Sequence, residues 1–248
     1  VRLRGTVPSL WNAAQQRRTI QVYLVAAALL SLNWGTYIWA VNTNRIIDTS
    51  LGYYINPLLS VGLGVLFLHE RLRTGQWVAV CLAGLSVGDL TLAHRSPPWV
   101  ALVLAGSFAL YGLLKKLAPL SALHGLTIET ALLAPLALGY LLLLETRGRA
   151  AFGHAGMATT AVLALAGVVT AMPLLFFATA ARQVSLTSLG ILQFVSPTCG
   201  LLLGVAVYHE PFPKSKQLAF AIIWAALALY WLDVLRQRAV RETDRAAA

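Results

Sequence analysis

Charge is scarce in this sequence. Only 11% of its 248 residues are Asp, Glu, Lys or Arg, against about 25% in an ordinary soluble domain. Acid is scarcer still, with nine Asp and Glu against nineteen Lys and Arg. With 58% hydrophobic residues and a mean hydropathy of +0.71, a water-soluble globule is excluded. The two cysteines, Cys81 and Cys199, fall inside apolar runs. That excludes a disulfide framework, and both read as small buried hydrophobes. Period-two alternation is missing, so a transmembrane barrel is excluded too. There is no GxxxxGK(S/T) loop for nucleotide phosphates, and no Cys/His set has metal-ligand spacing. His69-Glu70 opens like a zinc-protease HExxH, but Arg73 stands where the second His belongs. His209-Glu210 fails as well, because Pro211-Phe212-Pro213 follows it. No cofactor, no metal and no enzymatic constellation are expected.

What is there is a set of long apolar stretches, the mark of an all-α polytopic membrane protein. Eight spans are expected near 20–41, 50–68, 75–93, 98–116, 122–144, 157–180, 187–208 and 215–235. A basic segment precedes them and a charged tail, 237–248, follows. The net charge of +10 does not imply nucleic acid, because the basic residues lie in short loops and tails between spans. There they set topology and meet anionic lipid. Thirteen Lys and Arg fall on one side of the expected layout and six on the other. The side with thirteen carries both termini and is expected to be cytoplasmic, with the chain in an inner or plasma membrane.

One stretch recurs. SLGYYINPLLSVGLGVLFLHE, from Ser50 to Glu70, returns as SLGILQFVSPTCGLLLGVAVYHE, from Ser188 to Glu210. In each copy the proline is followed seven residues on by Gly and five later by His-Glu (Pro57, Gly64, His69-Glu70; Pro197, Gly204, His209-Glu210). The copies lie in the second and seventh spans, an odd number of crossings apart, so they run in opposite directions. This is an inverted-topology repeat, a layout used by secondary transporters. Its halves are 1–96, with three spans, and 97–236, with five. The chain opens on Val1, and two further spans of the first half are expected upstream of it. The alternative is a genuine eight-span protein.

These residues resemble the RarD branch of the EamA-type drug/metabolite transporters. The likeness is carried by Asn33-Trp34-Gly35, Tyr37-Ile38-Trp39-Ala40-Val41-Asn42, Arg45, Ser50-Leu51-Gly52-Tyr53 and Ile55-Asn56-Pro57. In the second half it is carried by Gly125-Leu126-Thr127, Glu129-Thr130, Gly190-Ile191-Leu192-Gln193, Pro197-Thr198, Tyr208 and Glu210-Pro211. The resemblance implies ten spans in two EamA repeats, cytoplasmic termini and a permease, and it alone implies export and drug handling. Asp89, inside the third span, departs from the family's apolar pattern there.

Polar groups at membrane depth are costly and are functional candidates by default. Glu129, two turns into the fifth span, would be a desolvated carboxylate suited to proton coupling or to pairing with a cation. Its structural alternative is a bond between helices. Asn33 and Tyr37 share a helical face with Asn44. With Trp34, and with the motif residues Asn42 and Tyr53, they are candidates for the substrate pathway. The alternatives are interhelical glue and an interfacial aromatic belt. Pro57 and Pro197 are expected to kink their helices and free the carbonyls of Tyr53 and Gln193. Asn56, Gln193 and Ser196 would then line a cavity. Arg45 and Arg182 each follow the span before a motif copy, as gates or as simple C-terminal cations. The glycine pairs Gly84/Gly88 and Gly200/Gly204, with Gly62 and Gly64, are expected to allow close helix packing. The expected function is a secondary transporter of a small organic solute by alternating access. A small-molecule substrate and the lipid bilayer are the expected partners, with a homodimer open. A non-transporting membrane scaffold is the alternative.

Overall fold

The structure, a computed structural model, describes residues 16–43, 45–92, 99–199, 217, 221–233 and 235–236. The basic residues before 16, Asn44, the Asp89 side chain, the pair Gly200/Gly204, the second His-Glu step and the tail 237–248 lie outside the described residues.

Among the described residues the regular elements are helices. They are α1 (Arg17–Asn42), α2 (Ile46–Leu68), α3 (Thr74–Leu92), α4 (Trp99–Leu117), α5 (Ala122–Thr146), α6 (Met157–Gln183) and α7 (Leu186–Gln193), then α8 (Ala221–Asp233). Four of them, α1, α4, α5 and α6, are long and apolar enough by composition to cross a membrane. A helix of about 20 residues spans a hydrocarbon core of about 30 Å. Local signals set the ends. Ser121 caps α5 by accepting a bond from the His124 N–H, and Ser185 caps α7 by accepting one from the Ser188 N–H. Gly148, Gly153 and Gly156 supply positive φ in the loop from α5 to α6.

The chain forms two compact units, and neither is one continuous stretch. The first comprises Val1–Ser31 and Tyr111–Val184, the second Leu32–Leu110 and Ser185–Ala248. In the first unit a small core gathers Tyr23, Ala118 and Ile128, flanked by Val22, Leu120 and Leu132. Beyond that core α5 and α6 are apolar nearly all round, yet only 17% and 6% of their most apolar windows are buried. Helices that are apolar on every face and little covered by protein belong against lipid.

The second unit holds the larger core, which includes Tyr54, Val61, Ala83, Ala105, Ile191, Phe194, Ile223 and Tyr230. Its centre is the crossing of α2 and α7, the helices that carry the two motif copies. Glu70 meets Leu186 and Thr187, Gly190 meets the Pro57 carbonyl, and Asn56 meets Gln193. As one number falls the other rises, so the two helices run antiparallel. A Cβ on Gly190 would sit 2.7 Å from the Pro57 oxygen and 3.0 Å from Ser60 Cβ. The absence of that carbon is what lets the backbones approach.

The expected kinks are not breaks. The α2 helix runs unbroken through Pro57, and α7 only tightens at Phe194, whose backbone stays right-handed helical (φ −64°, ψ −16°) and whose N–H bonds the Ile191 carbonyl at 3.2 Å, before the helix continues to Cys199 around Pro197. Other expectations are corrected. Gly62, Gly84 and Gly88 have nothing described within 4 Å of an added Cβ, so these glycines do not mediate a described close contact. Cys81 and Cys199 are exposed rather than buried, because the apolar runs that hold them present an outer face as well as an inner one.

Gly190→Ala is expected to cost about 1–3 kcal/mol through overpacking against backbone. Gly62→Ala should be neutral or up to about 1 kcal/mol stabilising through helix propensity. Thermal unfolding of both variants in detergent checks this, and equal midpoints would contradict the packing described.

Candidate functional site

Two polar constellations lie inside the helices, one in each unit. In the first unit Glu129 of α5 is fully buried. Its Oε1 accepts from Lys115 Nζ at 2.8 Å, and its Oε2 accepts from the Tyr111 hydroxyl at 3.2 Å. Tyr111 and Lys115 are four residues apart on α4 and so share a face. Lys115 Nζ also lies 5.6 Å and 5.4 Å from the ring centroids of Tyr23 and Tyr111, within cation–π range. Tyr23 in turn accepts a bond from the Leu120 N–H at 3.1 Å and packs where Gly125 has no side chain. A Cβ on Gly125 would fall 2.7 Å from the Tyr23 ring.

Lys115, one of the thirteen cations on the side expected to be cytoplasmic, lies in the last turn of α4, 3% exposed and committed to Glu129. Its neighbour Lys116 donates to the carbonyls of Ala181 and Val184, at the C-terminal end of α6. Arg182 of α6 donates to the carbonyls of Ala118 and Leu120, just past the end of α4. Each of these two helices thus supplies the cation that satisfies the other's C-terminal carbonyls, where helix dipoles favour positive charge.

In the second unit Asn33 donates to the Leu104 carbonyl at 2.8 Å and to Ser107 Oγ at 3.0 Å, tying α1 to α4. Asn42 is exposed, and its amide bonds the Ile38 carbonyl of its own helix. Trp34, Tyr37 and Tyr53 form an edge-to-face row with centroids 6.4 Å and 6.3 Å apart. Arg45 lies over the rings of Trp39 and Trp99, at 5.4 Å and 5.8 Å. Asn56 is buried and donates to Gln193 Oε1, whereas Ser196 is exposed.

In the sequence Glu70 is the charged step just past the second expected span, 50–68. The chain reverses at His69, which has φ 53° and closes α2 with an N–H bond to the Gly64 carbonyl. That reversal points Glu70 at the start of α7. There its carboxylate accepts from the Leu186 N–H at 2.7 Å, the Thr187 N–H at 2.9 Å and Thr187 Oγ1 at 2.7 Å. An acid on the free N–H groups of a helix start satisfies donors and complements the dipole. The recurrence of His-Glu in both motif copies was the signal that could have found it.

Apolar helices of membrane length, with ionised and amide groups bonded to one another between them, define a polytopic helical membrane protein. No family model matches the chain. It is 46% identical to protein RarD of Streptomyces exfoliatus, over 88% of this chain and 70% of that one. It is 50% identical to the uncharacterized transporter YojE of Bacillus subtilis, over 83% and 68%. To RarD of Escherichia coli it is 41% identical, over 89% and 75%. The chain belongs to the RarD family of membrane transporters. A solved crystal structure shares the fold at a TM-score of 0.56, covering 90% of this chain and 91% of its own at 16% identity.

Removing one partner of a buried ion pair strands the other charge, at a cost of about 3–5 kcal/mol. Lys115→Met is therefore expected to lower the unfolding midpoint sharply, and Lys115→Met/Glu129→Leu to recover most of the loss. An additive double variant in thermal unfolding would mean that the two do not act as a pair. Glu70→Ala should cost about 1.5–3 kcal/mol by leaving donors at the start of α7 unmet. Glu70→Gln should cost less, because its amide oxygen still accepts.

Proposed function

We propose that this chain is the working part of a proton-coupled secondary transporter, which moves a small organic solute outward across the bacterial inner membrane. The observation that carries this reading is the Lys115–Glu129 pair with its two tyrosines, fully buried between membrane helices. A buried acid and base of opposite charge is costly to desolvate and is weak evidence for stability. Ionisable groups inside a membrane mark ion and proton pathways.

Glu129 is assigned the coupling role. In the state described both of its oxygens are engaged. Taking up a proton would cancel the carboxylate charge, weaken the bond to Lys115 and release the contacts between α4 and α5. Losing the proton would restore them. That is a two-state element whose balance a proton gradient can bias. Arg182 and Lys116 would hold shut the ends of α4 and α6, and Arg45 the junction of α1 and α2. The row Trp34, Tyr37 and Tyr53 and the crossing at Asn56 and Gln193 are assigned to the solute pathway. Alternating access of inverted repeats, with both termini cytoplasmic, is the mechanism that the duplicated motif favours.

The bonds of Asn33 to α4 favour a second reading, a scaffold in which polar groups only fasten helices. Export separates the two. Cells making the protein or its Glu129→Gln variant at matched membrane abundance are compared by metabolite profiling of the medium, with and without a protonophore. The transporter reading expects a solute enriched at least tenfold with the unmodified protein only, and lost with the protonophore. Identical profiles would move the reading to the scaffold.

A further inference from the structure

One pair of buried polar atoms stands apart from the rest. Asn56 Nδ2 donates to Gln193 Oε1, yet Asn56 Oδ1 and Gln193 Nε2 are buried and have no hydrogen-bond partner among the described residues. Asn56 is 7% exposed. A buried unmet donor or acceptor costs about 1–3 kcal/mol, and there are two here. An apolar pair of the same shape would avoid both costs.

The chemistry of the unmet atoms is fixed by the pair itself. Each amide offers one carbonyl oxygen and one NH2. Sharing a bond consumes one oxygen and one N–H. Turning both amides over reverses the shared bond but still leaves one amide oxygen and one whole NH2 unmet. The pair therefore always presents a neutral acceptor beside a neutral donor. A carboxylate would meet the Asn56 oxygen as lone pair against lone pair. An ammonium would meet the Gln193 NH2 as donor against donor. An uncharged carboxamide, with its own N–H and C=O side by side, satisfies both.

The surroundings fit such a group. Asn56 and Pro57 lie midway along the 23 residues of α2, about 15–17 Å from its start at 1.5 Å per residue, near the middle of the span that the sequence places over 50–68. Transporters place solutes near mid-span, where helices depart from regular geometry, and α7 tightens to an i→i−3 turn at Phe194, next to Gln193. Tyr53 precedes Asn56 by three residues, on the same face of α2, and ends the aromatic row from Trp34. An apolar or aromatic body on the carboxamide would have these rings about one helical turn away along α2.

We infer that the Asn56–Gln193 pair is a binding site for an uncharged carboxamide carried on an apolar or aromatic solute. Calling that solute the cargo rests on the transporter reading, but its binding does not. The test uses the purified full-length protein in detergent, with benzamide as the probe, read by saturation-transfer NMR and by the unfolding midpoint. N,N-dimethylbenzamide, which has no N–H to give, and benzoate are the comparisons.

Benzamide is expected to bind in the millimolar range and both comparisons at least tenfold more weakly. Asn56→Leu/Gln193→Met, which removes both amides, should bind benzamide at least tenfold more weakly while unfolding at the same temperature or higher. Three results would each overturn the inference: no benzamide binding by the unmodified protein, equal binding by the double variant, or a double variant that unfolds well below the parent. Proton-linked export that persists without benzamide binding would leave the transporter reading standing and remove this one alone. Benzamide binding without export would do the reverse.

Discussion

A bilayer core supplies no water, so every polar group that enters it must find its partner in the protein. The arrangement of this chain follows from that constraint. Lys115 and Glu129 neutralise each other, and Tyr111 takes the second carboxylate oxygen. Lys116 and Arg182 exchange places to satisfy carbonyls at the ends of α6 and α4. Asn33 is spent on α4, and Glu70 on the start of α7. With no hydrophobic driving force between helices in lipid, such bonds and close packing must fix which helices meet.

The crossing of α2 and α7 shows both devices on one pair of helices. Glu70 pins one end, Gly190 brings the backbones together against Pro57, and the amide pair sits beyond. The motif that recurs in sequence is thus a packing unit, in which one copy's terminal acid caps the helix that holds the other. The same crossing contains the buried amide atoms left without described partners. Rigid attachment at one end and unmet polar chemistry midway is an arrangement suited to a site that a ligand completes.

Much of this was legible in the sequence. Scarce charge and long apolar runs gave the class, and α5 and α6 start at the expected residues, 122 and 157. The opposed motif copies anticipated antiparallel α2 and α7. Glu129 stood out because a lone acid in an apolar span has few innocent explanations. Its partner did not, because Lys115 lies fourteen residues away across a turn and a cation near a helix end looks like a loop charge. Asn33's partners are 71 and 74 residues away, a distance over which no local pattern carries information. Gly84 and Gly88 show the opposite failure. Their spacing is that of a packing motif, but a motif says which face could approach a neighbour, not whether a neighbour is there.

The central claim is that the Lys115–Glu129 pair links proton movement to solute movement. The most direct measurement is proton flux itself. The full-length protein and its Lys115→Met/Glu129→Leu variant are placed in liposomes with a pH-sensitive dye inside. The solute returned by export profiling is then applied as a gradient. The account predicts solute-dependent acidification or alkalinisation with the unmodified protein and none with the folded double variant. Equal proton movement in both would contradict it and leave the pair a fastening between helices.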